Sequence, residues 1–245
     1  MSVSEYNLGA NLVREVIQMG HLPSAIFNIC LLIFAGISAG TQSPRKISPS
    51  NIIVENDFVR VSQLDVPPGI KSSFKVDPGR AAVVMRLILQ EPSSDTGSQR
   101  AVAALRLDRV LFLGGGEIYN HAESAGGYTL REIRVELKAI PPATPFVNDA
   151  VALDSAHNKV LLENDRVRIV HLQFPLGEKG PIVDKRPRVI ILLTDMHAQV
   201  VKPGGQPEPR DGTAGTIYWS LGGSQATMNR NETRLDNIVV ELKGK

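Results

Sequence analysis

The feature that most constrains the fold of this chain is an internal repeat. The segment IIVENDFVRVSQLDVPPG, which starts at Ile52, aligns without gaps with VLLENDRVRIVHLQFPLG, which starts at Val160. The segments RVELK from Arg134 and VVELK from Val239 then close the two copies at nearly the same offset. A fixed offset between similar segments indicates duplicated architecture, so the sequence predicts two tandem units of roughly ninety residues each.

Each copy is predicted to consist of short β-strands. Apolar and polar residues alternate in DFVRVSQL from Asp57 and in RVRIVHL from Arg166, which is typical of half-buried strands. The runs AAVVMRLIL from Ala81 and RVIILLT from Arg188 are short and rich in branched apolar residues, which favours buried strands over helices. We therefore expect an all-β protein made of two tandem β-barrels of the jelly-roll type.

The N-terminal segment is predicted to direct export. Residues 25–40 (AIFNICLLIFAGISAG) form an apolar run that is shorter than the roughly twenty residues a membrane-spanning helix needs. The run ends in the small residues SAG and is followed by a polar stretch, as at a signal-peptide cleavage site. We expect a helical signal peptide and a secreted or periplasmic protein, with an uncleaved membrane anchor as the alternative. Cleavage would remove Cys30, the sole cysteine, so no disulfide is expected.

The domain organisation follows from these segments. The Pro-Pro and Thr-Pro pairs between the copies are typical of a connector, and residues 202–215 (KPGGQPEPRDGTAG) are expected to form a flexible loop that covers the second unit. The formal net charge of +2 is spread along the chain without a basic stripe, which argues against nucleic-acid binding. The expected divisions are a signal peptide (1–40), a flexible segment (41–50), the first unit (51–138), the connector (139–158) and the second unit (159–245).

Both halves resemble cupin domains, over Ile52–Lys138 and Val160–Lys243. In the second half YWSLGGSQATMN, from Tyr218, reproduces the turn and the trailing asparagine of the second cupin motif. The resemblance implies a barrel whose first motif carries two histidines and a glutamate and whose second motif carries a third histidine. In that superfamily these four side chains hold a divalent transition metal.

The first half departs from this pattern. The positions that the resemblance assigns to the first histidine pair carry Lys75 and Asp77, and no glutamate follows them. His121 is the one histidine that stands where the resemblance places a ligand. The resemblance therefore implies that His121 faces the interior beside Lys75 and Asp77, where a carboxylate could orient the imidazole for acid–base catalysis. The alternative is a simple salt bridge between Lys75 and Asp77.

The second half departs further. Val183 and Lys185 occupy the positions of its first histidine pair, and Gln225 stands where the third histidine belongs. An ammonium group repels a cation, so we expect neither a metal nor another cofactor. Lys185, Arg188, Gln225 and Trp219 are instead predicted to line a pocket for an anionic or carbohydrate-like ligand. The alternative is that the two cations are solvated loop charges and that Trp219 belongs to the core.

The leading hypothesis is an exported, metal-free protein of two cupin-like units that binds a small molecule or has a structural role and is not a catalyst. The first alternative is a metal-independent isomerase or epimerase that uses His121 and Asp77. The second is a metal-dependent enzyme whose ligands lie outside the usual positions, such as His171 or His197. The expected partner is a small molecule, and the chain is either a monomer or a homodimer.

Overall fold

The computed structural model describes residues 50–71, 73–89, 105–120, 128–142 and 146–244. In these ranges the chain forms sixteen β-strands and one short helix, which confirms the all-β prediction. The described residues belong to one compact unit. The predicted signal peptide, Cys30 and His121 lie outside the described residues. No helix within the described ranges has the length and apolar character needed to cross a membrane.

The first half contains seven described strands, all paired antiparallel. They are β1 (Asn51–Glu55), β2 (Val59–Val66), β3 (Ser73–Lys75), β4 (Ala81–Leu89), β5 (Leu105–Leu113), β6 (Ile118–Asn120) and β7 (Leu130–Leu137). Five of them form one sheet in the order β1-β2-β7-β4-β5, and β3 pairs separately with β6.

The second half contains nine strands, again paired antiparallel. They are β8 (Asn158–Glu163), β9 (Val167–Phe174), β10 (Val183–Lys185), β11 (Arg188–Leu192), β12 (Met196–Val201), β13 (Glu208–Gly212), β14 (Ile217–Ser220), β15 (Gly223–Asn229) and β16 (Leu235–Leu242). One sheet has the order β14-β11-β16-β9-β8, and the other has the order β10-β15-β12-β13. These hydrogen-bonded orders give two separate sheets in a jelly-roll sandwich and not one closed ring.

The same local interactions start the second strand of each half. The side-chain oxygen of Asn56 accepts hydrogen bonds from the backbone N–H groups two and three residues later, at 2.8 and 3.0 Å. Asn164 does the same at 2.9 and 3.0 Å. Such turns satisfy backbone donors where a strand begins. At the far end of each strand Gly69 and Gly177 both adopt φ of 74°, a conformation that disfavours other residues.

The largest apolar core lies between the two halves. In β7 the residues Ile133, Val135 and Leu137 face the second half, and β16 presents Ile238 and Val240 to the first. Because side chains alternate across a strand, the intervening residues of β7 and β16 face the interior of their own half. The backbone N–H of Leu105 also donates to the carbonyl of Leu193 at 2.9 Å, which joins the halves directly. Burial of this shared face stabilises the two halves as one unit.

The connector contains a helix that the sequence did not predict. Helix α1 (Ala150–Leu153) spans four residues, and the side chain of Asp149 accepts a hydrogen bond from the backbone N–H of Val151 at 2.8 Å. Asp149 is therefore an N-cap, which stabilises the first turn of a helix. A helix of four residues is too short to show helical periodicity in the sequence, so the sequence pattern did not predict it.

The expectation that residues 202–215 form a flexible loop is wrong for part of the segment. This segment contains β13, which pairs with β12. Pro209 is tolerated because β13 is the edge strand of its sheet, where a missing N–H breaks no hydrogen bond to a further strand.

Candidate functional site

A cavity of about 210 Å³ lies inside the second half. Strand alternation produces its wall: in β11 Arg188 and Ile190 face the cavity, whereas Val189 and Ile191 face the core between the halves. The apolar part of the lining comes from β9, β11, β12 and β16 and includes Val170, Leu172, Ile190, Met196, Ala198, Val200, Leu235 and Val239. The polar part comes mainly from β10, β11, β14, β15 and β16 and includes Lys185, Arg188, Tyr218, Gln225, Thr227, Asn237 and Glu241.

Lys185 presents an ammonium group to this cavity. Its Nζ atom donates a hydrogen bond to the hydroxyl of Thr227 at 3.1 Å. Burial lowers the pKa of Lys185 well below its usual range, and the positive charge of Arg188 lowers it further, although Glu241 acts in the opposite direction. The lowered pKa indicates that the cavity offers this cation too little compensating negative charge.

Arg188 is the second cation of the cavity, and it is 5% exposed. Among the described residues its Nε atom has no hydrogen-bond partner. Burial lowers the pKa of Arg188 to about 10, although Glu241 raises it, so the guanidinium is still charged at neutral pH. A buried guanidinium nitrogen without an acceptor is costly, so this site is suited to an incoming acceptor.

The carboxylate nearest to these cations is held by another residue. Glu241 accepts a hydrogen bond from Nε of Arg168 at 2.8 Å, and Nη2 of Arg168 lies 2.7 Å from the same carboxylate as an ion pair. The Nη1 atom of Arg168 also bonds Asp149 at 2.7 Å. Arg168 and Glu241 are 4% and 3% exposed. Because Glu241 is paired with Arg168, the cavity keeps a surplus of positive charge on Lys185 and Arg188.

A buried acceptor completes the polar part of the lining. Asn237 is 3% exposed, and within the described ranges its Oδ1 atom accepts no hydrogen bond. Tyr218 also faces this space, and burial raises the pKa of its hydroxyl, which therefore stays protonated at neutral pH. The cavity thus offers a small polar ligand cationic donors, a hydroxyl group and an amide oxygen that accepts no hydrogen bond from the described residues.

Lys185, Arg188, Gln225 and Trp219 all line this one cavity, and the ring of Trp219 makes a further contact. The ring of Trp219 stacks on Phe58 of the first half, with centroids 6.0 Å apart. Trp219 therefore packs against the core between the halves as well as lining the cavity. Tyr218, which the sequence analysis did not single out, is a second aromatic residue of the lining.

The structure does not place Lys75 and Asp77 inside the first half. Both side chains are exposed. The carboxylate of Asp77 lies 3.7 Å from Arg80, and the described ion pairs include none between Lys75 and Asp77. Catalysis by His121 with Asp77 stays a prediction, because His121 lies outside the described residues.

The interior of the first half instead contains charged residues that the sequence reasoning missed. Glu132 is fully buried and accepts a hydrogen bond from Nε of Arg134 at 2.5 Å. The guanidinium of Arg134 also lies 4.6 Å from the ring centre of Phe74. Alternation along LREIRVEL places these charges on the face opposite Ile133, which is the sequence signal that could have found them.

The two histidines that the metalloenzyme hypothesis names form separate pairs with carboxylates. His171 bonds Asp236, and the exposed His197 bonds Asp211 at 2.8 Å. Within the described ranges there is no group of three or more His, Cys, Asp or Glu side chains that could hold a metal. Among the described residues, therefore, neither His171 nor His197 has the neighbours that the metalloenzyme hypothesis requires.

Comparison with known proteins finds similar solved structures but no matching family. No family model matches the sequence. No curated protein matches it either. Solved structures do match. One is a cupin domain from Bordetella pertussis, with 19% identity over 43% of this chain and 98% of that one and a TM-score of 0.34. Another is a cupin 2 conserved barrel protein from Leptotrichia buccalis, with 9% identity over 83% of this chain and 92% of that one and a TM-score of 0.40. The chain is similar to these cupin structures. Another similar structure is an oxalate decarboxylase, with 6% identity over 80% of this chain and 72% of that one and a TM-score of 0.47. A protein of unknown function from Pseudomonas aeruginosa is also similar, with 14% identity over 80% of this chain and 88% of that one and a TM-score of 0.45.

The second half does not fit a metal at the positions that the cupin resemblance assigns to ligands. Where the cupin motifs would supply imidazole or carboxylate ligands, this half has Val183, Lys185 and Gln225. An isopropyl group cannot donate to a metal, and an ammonium group repels one. The absence of a metal from the whole protein stays a prediction, because His121 lies outside the described residues.

Proposed function

We propose that the second cupin half binds a small organic anion in its internal cavity. The observation that carries this proposal is the buried Nε atom of Arg188, which has no acceptor among the described residues. A carboxylate would supply that acceptor and would also compensate the charge of Lys185. Hydrogen bonds between a guanidinium and a carboxylate are about twice as strong as neutral ones.

The composition of the lining supports an organic anion and not an inorganic one. Ile190 and Val239 provide apolar surface in the same cavity, next to Arg188 on strands β11 and β16. A ligand with a charged end and an apolar body would therefore contact both parts of the wall. At about 210 Å³ the cavity is smaller than the usual 300–1,000 Å³ of drug-sized ligand sites, which limits the ligand to a few carbon atoms.

Isothermal titration calorimetry and thermal unfolding with lactate, acetate, phosphate and glucose would test the proposal. Lactate at about a hundred times its Kd should stabilise the protein by about 2.7 kcal/mol. Arg188→Met should abolish the heat of binding. Because this change removes a buried charge and keeps apolar volume, the variant should still fold.

A matched control is available in Arg230, which is exposed. Arg230→Met should bind lactate as the unaltered protein does. Equal stabilisation by glucose and lactate would contradict the proposal, and so would unchanged lactate binding by Arg188→Met.

We also propose, from the sequence, that the protein is exported and that its role is binding and not catalysis. The apolar run at residues 25–40 supports export. N-terminal sequencing of protein recovered outside the cytoplasm should begin near Gly40, and an intact N-terminus would contradict cleavage. Bound metal found in stoichiometric amount by elemental analysis would contradict the metal-free part of the proposal.

A further inference from the structure

We propose that Lys185 binds a small 2-oxo acid covalently, as an imine, while Arg188 holds the carboxylate of the same molecule. This inference rests on the proposed anion site and adds the chemical class of its ligand. It assigns Lys185 the role of a nucleophile in addition to that of a charge.

The first support is the environment of the amine. Lys185 Nζ has one hydrogen-bond partner among the described residues, Thr227 Oγ1 at 3.1 Å, and the ion pairs of those residues include none with Lys185. An amine inside a cavity with apolar walls and beside another cation loses its proton more readily than a surface lysine. The lowered pKa of Lys185, caused by burial and by Arg188, agrees with this.

The second support is the relation between Lys185 and Arg188. Lys185 ends β10 and Arg188 begins β11, so two residues separate them in sequence, and both line the same cavity. A 2-oxo acid carries its electrophilic carbon directly beside its carboxylate. One molecule can therefore place the carbonyl carbon at the amine and the carboxylate at the guanidinium.

The proposed step needs no oxidant or reductant. The lone pair of the neutral amine attacks the carbonyl carbon, and the carbonyl oxygen takes up a proton to give a carbinolamine. The hydroxyl group then leaves as water, so the two hydrogens of the amine leave with the oxygen and a C=N bond replaces the C=O bond. The hydroxyls of Thr227 and Tyr218, which line the same cavity, are placed to exchange protons with the oxygen.

The test traps the imine with borohydride. The full-length protein is incubated with pyruvate and sodium borohydride, and the products are measured by intact mass and by peptide mapping. We expect one addition per chain, at Lys185, with the mass of pyruvic acid less one oxygen atom. Lactate has no carbonyl group, so lactate with borohydride should give no addition, and lactate added together with pyruvate should suppress the addition.

Three variants make the test specific. Lys185→Arg keeps a positive charge without a nucleophilic amine and should reduce the addition by at least about tenfold. Lys75 ends the equivalent short strand β3 of the first half and is exposed, so Lys75→Arg should leave the addition unchanged. Lys185→Met serves as a second variant if Lys185→Arg does not fold, and it should also lose the addition.

The outcomes separate this inference from the proposed function. Absence of an addition at Lys185 overturns the imine, and so does an addition spread over surface lysines that persists in Lys185→Arg. If lactate still binds and Arg188→Met still abolishes that binding, the anion site stands without the imine. If lactate does not bind at all, the proposed function fails as well.

Discussion

The rings of Phe58 and Trp219 stack on each other across the two halves of the protein, with centroids 6.0 Å apart and planes inclined by 18°. Both residues pack on the apolar core that the two five-stranded sheets share. Trp219 is the sole tryptophan, so its fluorescence reports on this contact.

The stacked pair should couple the stability of the halves. Phe58→Ala should lower the free energy of unfolding by roughly 2–3 kcal/mol, somewhat less than for a fully buried ring, because Phe58 is half-buried. A double-mutant cycle with Trp219→Ala, measured by denaturant unfolding followed by circular dichroism, should give a coupling of about 0.5–1.5 kcal/mol. Simple additivity of the two single changes would show that the stack contributes nothing beyond burial.

Removal of Arg168 should be severely destabilising. Arg168→Met leaves the buried Glu241 without its partner, and breaking one side of a buried ion pair costs about 3–5 kcal/mol. Adding Glu241→Gln should recover part of this loss, because the second change removes the unpaired charge. Urea unfolding would measure the free energy of unfolding of Arg168→Met and of the double variant, with Arg230→Met as an exposed control. A loss below about 1 kcal/mol for Arg168→Met would contradict the importance of the pair.

Lys185→Met should stabilise the ligand-free protein by roughly 1–3 kcal/mol at neutral pH. The folded-state pKa of Lys185 is lowered, so the unfolded state binds more protons and folding of the unaltered protein becomes more favourable as pH rises towards the unfolded pKa. The advantage of the variant should therefore be largest near neutral pH and should shrink as pH approaches about 10. An advantage that is constant with pH would contradict a buried, titrating Lys185.

His157 should make stability depend on pH. Its two ring nitrogens lie 2.6 Å from Asp154 and 2.6 Å from Glu178. Burial lowers the pKa of His157, but the hydrogen bonds to Glu178 and Asp154 raise it by more, so its net pKa is raised. A raised folded-state pKa gives stability that is fully present below the unfolded pKa, near 6.5, and is lost as pH rises through the folded pKa.

Unfolding of His157→Ala and of the unaltered protein between about pH 6 and pH 9 would check this sign. The difference between them should be largest at the acidic end. His197→Ala, at an exposed pair with Asp211, should change stability little. A difference for His157→Ala that grows with pH would show that the assigned direction is wrong.

Gly222 should be required for the geometry of Lys185. A Cβ atom at Gly222 would lie 1.9 Å from the carbonyl oxygen of Lys185, whereas a Cβ at Gly223 would meet nothing within 4 Å. Both glycines have positive φ, at 88° and 102°, so alanine is strained at either position. Gly222→Ala should therefore lower the melting temperature more than Gly223→Ala, and it should also weaken lactate binding. Equal effects of the two changes would show that backbone strain alone matters.

The sequence determined the strand content and much of the local geometry. β4 begins and ends where the run AAVVMRLIL does, and Asn56 and Asn164 form the same turn in the two halves. These features depend on residues close together in the chain, so alternation and turn chemistry predict them. The same reasoning missed α1 and β13, because a four-residue helix has no periodicity and an edge strand tolerates a proline.

Only the tertiary structure decided which face of each strand meets the other half. Alternation divides a strand into two faces but does not state what covers them. The structure places Trp219 against Phe58 and leaves Tyr218 in the cavity, and it pairs Glu241 with Arg168. The unpaired cations of the candidate site, Lys185 and Arg188, therefore follow from contacts between residues distant in sequence, which no local pattern specifies.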